Sequence, residues 1–194
     1  MIKGVALDLA RVFINVKAVA FDLVGVLVKE KDVPLHPNEI ILENYFDYKV
    51  GDQLFWDWAE EKTGLGRKEL ENISWNTINK IYEIREPDIF EKLPKLKFAT
   101  ASNHLSMIKD WLKEKGMYDK FYCHVISEDI QCMKPSREFY EILIKKLGEK
   151  PEEILMVDDK EENIEGAKRV GLKTLLYNGQ KLLSESILEA LNEK

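Results

Sequence analysis

At 194 residues and 45% hydrophobic content, the chain has room for one core domain with a modest insertion. Its net charge of −6, with both signs interspersed, argues against nucleic acid or an anionic membrane as main partner, since either needs a concentrated basic face. No apolar run approaches the ~18 residues of a bilayer span, and no basic stretch leads into a signal-like apolar core, so the expected location is cytoplasmic.

The first apolar run, 2–7, belongs to a segment that is written twice. Ile2-Lys-Gly-Val-Ala-Leu-Asp8 through Ile14 lines up with Val16-Lys-Ala-Val-Ala-Phe-Asp22 through Val28, sharing Lys, Val, Ala, Asp, Leu and Val. The plain reading of the first copy, within 1–15, is an extra edge strand without catalytic duty. Two similar strands can also compete for one slot, which would allow a second register or a homodimer through strand exchange. The second copy, 16–21, is the better candidate for chemistry. Gly25 permits a tight turn after Asp22, whereas Asp8 is followed by Ala10-Arg11 and a bulky run.

Residues 30–93 carry helical patterns at 38–47, 52–62, 67–85 and 87–93 with no convincing strand. Trp56, Trp58 and Trp75 are read as this block's own core. Strand patterns resume at 96–101, which ends in Ser102-Asn103, and at 122–126. Helical patterns follow at 104–115 and 136–147, the second opened by Ser136 as N-cap and closed by Gly148. Lys134 stands before Pro135 in a polar loop. A buried-type strand at 153–157 ends in Asp158-Asp159, and a last one is expected at 173–177. Cys123 and Cys132 form no metal or disulfide pattern and are read as reduced packing residues. His104, adjacent to Ser102-Asn103, could reach a substrate but is read first as a surface histidine at a helix start, and His36 and His124 have no partner visible in the sequence.

Strands alternating with amphipathic helices define an α/β fold, a doubly wound parallel sheet with helices on both faces. Residues 1–29 and 94–194 would form this core, with 30–93 an inserted helical cap over the C-terminal sheet edge, where such sheets bind ligands. At that edge the chain delivers a carboxylate nucleophile (Asp22), a hydroxyl and amide pair (Ser102, Asn103), a cation (Lys134) and an acid pair (Asp158, Asp159). That is a phosphate-handling set.

The ordered motifs FDLVGVLV, ATASN, MKPSREFY and VDDKEENIEGAKRVGLKT resemble the haloacid dehalogenase superfamily of aspartate-nucleophile hydrolases, in its sugar-phosphatase-like branch with small helical caps. The resemblance covers essentially everything beyond residue 15. It implies a Rossmann-like core and an Asp22 that attacks phosphorus to form an aspartyl-phosphate, which water then hydrolyses. Ser102, Asn103 and Lys134 would bind the phosphoryl group. Three carboxylates against one ammonium call for further positive charge, so Mg²⁺ is expected on Asp22, the Val24 carbonyl and Asp159, with Asp158 bound through water or behind them. Asn163 would orient the acid pair. The expected substrate is a small phosphorylated metabolite.

One position departs from the pattern. Many phosphatases of this superfamily carry a second aspartate two residues after the nucleophile, as general acid and base, and here Val24 stands there. Losing such a group costs about 10²–10⁴-fold, so another group substitutes, turnover is slow, or the substrate has an easily expelled leaving group. The missing acid also suits a 2-haloacid dehalogenase, in which Asp22 displaces halide from carbon without metal. Against that reading stand the acid pair and the lack of any arginine between Arg11 and Arg67. A weakly active relative kept as a binding protein is the third alternative.

Overall fold

The computed structural model describes residues 15–46 and 52–192, so the first strand copy and Asp8 lie outside the described residues. In chain order come β1 (Ala18–Phe21), β2 (Val28–Glu30), α1 (Pro37–Glu43), α2 (Asp52–Thr63), α3 (Arg67–Ile81), β3 (Tyr82–Ile84), α4 (Ile89–Lys92) and β4 (Lys97–Ser102). Then follow α5 (Ile108–Glu114), β5 (Cys123–Ile126), α6 (Ser127–Ile130), α7 (Arg137–Leu147), β6 (Ile154–Asp158), α8 (Glu161–Arg169), β7 (Lys173–Leu176) and α9 (Leu183–Asn192).

The main sheet is parallel, in the order β5-β4-β1-β6-β7. β1 is central because it can afford no solvent on either face: all four of its residues are fully buried. Their alternation splits the core in two. Val19 and Phe21 join the side that also holds Phe98, Trp111 and Leu183. Ala18 and Ala20, with Ala99 and Ala101 of β4, face the other side, where their small size admits Phe139 and Tyr140 of α7. Each large buried side chain contributes roughly 1.5–3 kcal/mol by leaving water. Helices thus cover both faces, as the strand-helix alternation requires.

Register places the chemistry. Phe21 pairs with Thr100 on one side and Val157 on the other, so the next residue of each strand brings Asp22 level with Ala101 and Asp158, and Ser102 follows directly. α7 begins and ends as its punctuation predicts. Ser136 Oγ accepts from the Phe139 amide, and Gly148 closes the helix at φ 68°.

Between β2 and β3 the sequence reading needs correction. The block contains strand after all: β2 and β3 form an antiparallel pair in which Val28, Lys29 and Glu30 face Ile84, Glu83 and Tyr82. The helix expected over 67–85 ends at Ile81, and Tyr82 turns extended (φ −87°, ψ 141°) to meet β2. Strands this short show no period, and pairing across the fold overrides the local helical pattern. Likewise, α5 starts at Ile108 and not at His104, and the first helix of the block stops at Glu43. As expected, Trp56 is buried with Phe55, Leu70 and Ile78, and Trp58 and Trp75 pack against that cluster. No helix among the described residues is long and apolar enough to cross a membrane.

Candidate active site

Asp22 leaves β1 at the sheet's C-terminal edge, and one of its two oxygens is fully engaged. Oδ1 accepts from the Leu23 amide at 2.7 Å and from Ser102 Oγ at 2.8 Å, and it lies 3.0 Å from Lys134 Nζ. Oδ2 carries none of these bonds. The residue lines a cavity of about 340 Å³ shared with Val24, Ser102, Asn103, Lys134, Asp159 and Asn163. Burial pushes the Asp22 carboxyl up to about 6 against the pull of Lys134, and Asp158 adds to the rise.

Lys134 reaches this point because its loop is tied to the end of β4. Asn103 Nδ2 donates to the Lys134 carbonyl at 3.0 Å, and the Lys134 amide donates to Asn103 Oδ1 at 2.8 Å. Asn103 therefore places the lysine as well as facing the cavity. The buried ammonium bridges Asp22 and Asp158, 2.6 Å from the latter's Oδ2. Burial disfavours its charge, yet the two carboxylates outweigh that and hold it above the usual lysine range.

Asp158 is fully buried at the end of β6. Its Oδ1 accepts from Asn163 Nδ2 and from the Lys160 amide, both at 2.9 Å. The Asn163 carbonyl in turn takes the Tyr140 hydroxyl at 2.6 Å, which pins the start of α8 to α7. Asp159 is exposed. Burial of its carboxyl and the neighbouring Asp158 nevertheless raise its pKa above the ordinary value.

Asp22, Asp158 and Asp159 each offer an oxygen within 4.8 Å of the others. Three hard oxygen donors this close, with one lysine between two of them, fit a hard divalent cation such as Mg²⁺. Two further observations agree. Asn163 Oδ1 is buried beside the cluster without a hydrogen-bond donor among the described residues, and Gly25 (φ +91°) leaves open a space that the Asp159 carboxylate fills. A Cβ at residue 25 would lie 2.3 Å from Asp159 Oδ2. Replacing Gly25 by Ala should therefore destabilise the protein by roughly 1–2 kcal/mol through its left-handed backbone alone, and also weaken Mg²⁺ binding. Urea denaturation and calorimetric Mg²⁺ titration measure the two effects.

All the residues singled out in the sequence thus converge, but sequence reasoning missed others. Lys134 is not the only cation: Arg85, Lys29 and Lys160 also line the cavity. Arg85, just past β3, donates from Nε to the Val26 carbonyl at 2.9 Å and from Nη2 to the Gly25 carbonyl at 3.1 Å, which fixes the loop after the nucleophile. Tyr82, Phe46 and His104 form part of the wall. His104 is not on the surface: only 1% of it is exposed. Tyr82 and Arg85 carry no signal in a single sequence, because they meet the site only when the helical block folds back through β3. His104 and Lys160, by contrast, directly follow motif strands and could have been suspected from that adjacency. His124 also has partners, a 3.2 Å contact with Thr100 Oγ1 and stacking on Tyr118, and His36 caps α1.

The parallel sheet of order β5-β4-β1-β6-β7 thus carries three carboxylates, a hydroxyl and a buried lysine at the C-terminal ends of its strands. A family model for haloacid dehalogenase-like hydrolases matches residues 16–171, and the chain belongs to that family. It is 28% identical over 150 residues to an enolase-phosphatase E1 from Aquifex aeolicus (63% of this chain, 60% of that one). It is 33% identical over 97 residues to a glyceraldehyde 3-phosphate phosphatase from Methanopyrus kandleri (46% and 41%). The chain thus spans less than two thirds of these relatives. Its fold is shared with a HAD-like family hydrolase from Porphyromonas gingivalis (TM-score 0.72, 21% identity, 93% of this chain and 100% of that one). It is shared too with a HAD family enzyme from Bacteroides thetaiotaomicron in complex with magnesium and inorganic phosphate (0.65, 17%, 86% and 96%). An L-2-haloacid dehalogenase from Xanthobacter autotrophicus also has this fold (0.60, 18%, 82% and 76%).

Proposed function

We propose that the chain is a Mg²⁺-dependent phosphatase of small phosphorylated metabolites, with Asp22 as nucleophile. The observation that carries this reading is the asymmetry of the Asp22 carboxylate beside the acid cluster. Leu23, Ser102 and Lys134 hold Oδ1, which fixes the Asp22 carboxylate at the cavity for attack on phosphorus. Ser102, Asn103 and Lys134 bind the phosphoryl oxygens, and the leaving alcohol departs on the side away from Asp22. Water then attacks the aspartyl-phosphate and restores the carboxylate. Asp22, Asp159 and the Val24 carbonyl would hold Mg²⁺, with Asp158 behind them, and the ion would supply the charge that lets a carboxylate approach a phosphate dianion. Residues 30–93 would act as a cap that excludes water from this small cavity.

The dehalogenase reading is weaker. A halide displacement has no use for three clustered carboxylates, and the guanidinium of Arg85 is committed to two backbone carbonyls. Phosphate release from sugar phosphates, acyl phosphates and p-nitrophenyl phosphate is expected with Mg²⁺, falling at least about 10²-fold after chelation and returning when the ion is restored. Chelator-resistant halide release from a 2-haloacid, without phosphate release, would decide for the dehalogenase.

A further inference from the structure

Val24 leaves the hydrolytic half-reaction without the base that a carboxylate two residues past the nucleophile would provide. The cavity wall contains another candidate. His104 follows the phosphate-gripping pair Ser102-Asn103, and its backbone is clamped to the start of α6. Its amide donates to Ser127 Oγ at 3.0 Å, and that hydroxyl contacts the His104 carbonyl at 3.3 Å. The ring is held as firmly. Nδ1 lies 3.1 Å from the Leu105 carbonyl, which can only accept, so Nδ1 carries the proton of the neutral imidazole. Nε2 is then the bare nitrogen, and the Tyr82 hydroxyl, 2.9 Å away, donates to it. Phe46 lies 5.8 Å from the imidazole centroid and Trp111 lies 5.8 Å from the Tyr82 ring, so both groups are boxed in by aromatics.

We propose that Tyr82, backed by His104, is the general base that activates water against the Asp22 aspartyl-phosphate. The inference rests on the phosphatase reading above. Attack must come from the side the leaving alcohol vacated, away from Asp22, and Tyr82 and His104 line that same cavity. In this step the water meets the Tyr82 hydroxyl, whose proton is directed at His104 Nε2. As the water oxygen bonds to phosphorus, its proton passes to the Tyr82 oxygen, and the phenolic proton passes to Nε2. The bond from phosphorus to the Asp22 oxygen breaks, its electron pair returning to the carboxylate. The imidazolium proton goes back along the same path to the departing phosphate. Tyr82 is thus a catalytic residue and His104 a positioning residue that acts through it.

Glu30 and Glu43 also line the cavity, but an imidazole matches the operating pH of a general base better than a carboxylate does. The first half-reaction receives no proton in this scheme, which favours substrates with readily expelled leaving groups, acyl and p-nitrophenyl phosphates over alkyl sugar phosphates.

Pre-steady-state hydrolysis of p-nitrophenyl phosphate by the Mg²⁺-loaded full chain tests the proposal. Tyr82→Phe and His104→Gln should each release about one p-nitrophenolate per chain in a burst, then turn over about 10²-fold or more slowly than wild type. Intact mass after acid quench should show one added phosphoryl group, and the solvent isotope effect on steady-state turnover should change in both. Asp22→Asn should give neither burst nor adduct. Wild-type steady-state rates in a folded Tyr82→Phe variant would overturn the base assignment while leaving the phosphatase reading intact, as would a burst produced by Glu30→Gln or Glu43→Gln instead. Absence of any turnover by wild type would overturn both. His104 is also checked without variants: the nitrogen chemical shifts of its ring in the wild-type chain should report the Nδ1–H tautomer, and the opposite tautomer would refute the relay.

Discussion

Asp22→Asn should lower phosphate release by more than about 10⁴-fold, the scale expected when a covalent nucleophile is removed, while Asp8→Asn should leave it unchanged. The two aspartates end the two copies of the same sequence segment, and the residue three places on distinguishes them. Gly25 sits at φ +91°, and a Cβ there would lie 2.3 Å from Asp159 Oδ2. The first copy has Arg11 at the matching position, and an arginine placed at residue 25 would meet the Asp159 carboxylate. The Asn variant also tests itself for folding. Burial holds the Asp22 carboxyl at about 6, above its ordinary value even after the attraction of Lys134, so at neutral pH the fold carries a charge it disfavours. Removing that charge should raise stability by about 1–3 kcal/mol in metal-free buffer, so that inactivity cannot be ascribed to unfolding. An active Asp22→Asn variant beside an inactive Asp8→Asn variant would invert the assignment.

Much of this site was legible because it depends on strand ends. β1, β4 and β6 are strands of four, six and five mostly apolar residues that lead into Asp22 or end in Ser102 and Asp158, and a parallel sheet aligns such ends without further information. Lys134 and Asn163 were legible only by their order among those motifs. The parts that stayed hidden depend on contacts made at a distance. β2 and β3 are three residues each, too short for a period of two to register, and the apolar stripe of α3 runs on into Tyr82 as if the helix continued. Missing β3 meant missing Arg85 and Tyr82, which it delivers to the cavity. His104 was misplaced for a related reason. Residues 103–107 form a turn before α5, and that turn carries the ring inward instead of leaving it on a helix end.

Lys134→Met should destabilise the metal-free protein by about 3–5 kcal/mol at neutral pH and lower activity at least about 10²–10³-fold. The lysine side chain is 1% exposed and stands between side chains exposed by 9% (Asp22) and 0% (Asp158), at 3.0 and 2.6 Å. Methionine fills much the same volume but leaves both carboxylates without their counterion, Asp158 keeping only its bonds from Asn163 and the Lys160 amide. The deficit should depend on pH with a definite sign. Burial already raises the Asp22 carboxyl, and loss of Lys134, which pulls it down, raises it further. A carboxylate whose folded pKa exceeds its unfolded value binds more protons in the folded state, so stability falls as pH rises between the two values and returns on acidification. Urea denaturation at about pH 7.5 and about pH 5.5 should therefore show the variant recovering part of its deficit at the lower pH, by more than wild type gains. Added Mg²⁺ should also raise the stability of the variant at neutral pH, because a bound cation replaces the missing charge on the same acids. Equal stability of variant and wild type at neutral pH would mean that the acids are already protonated in the fold, and Asp22 would then have no free carboxylate with which to attack.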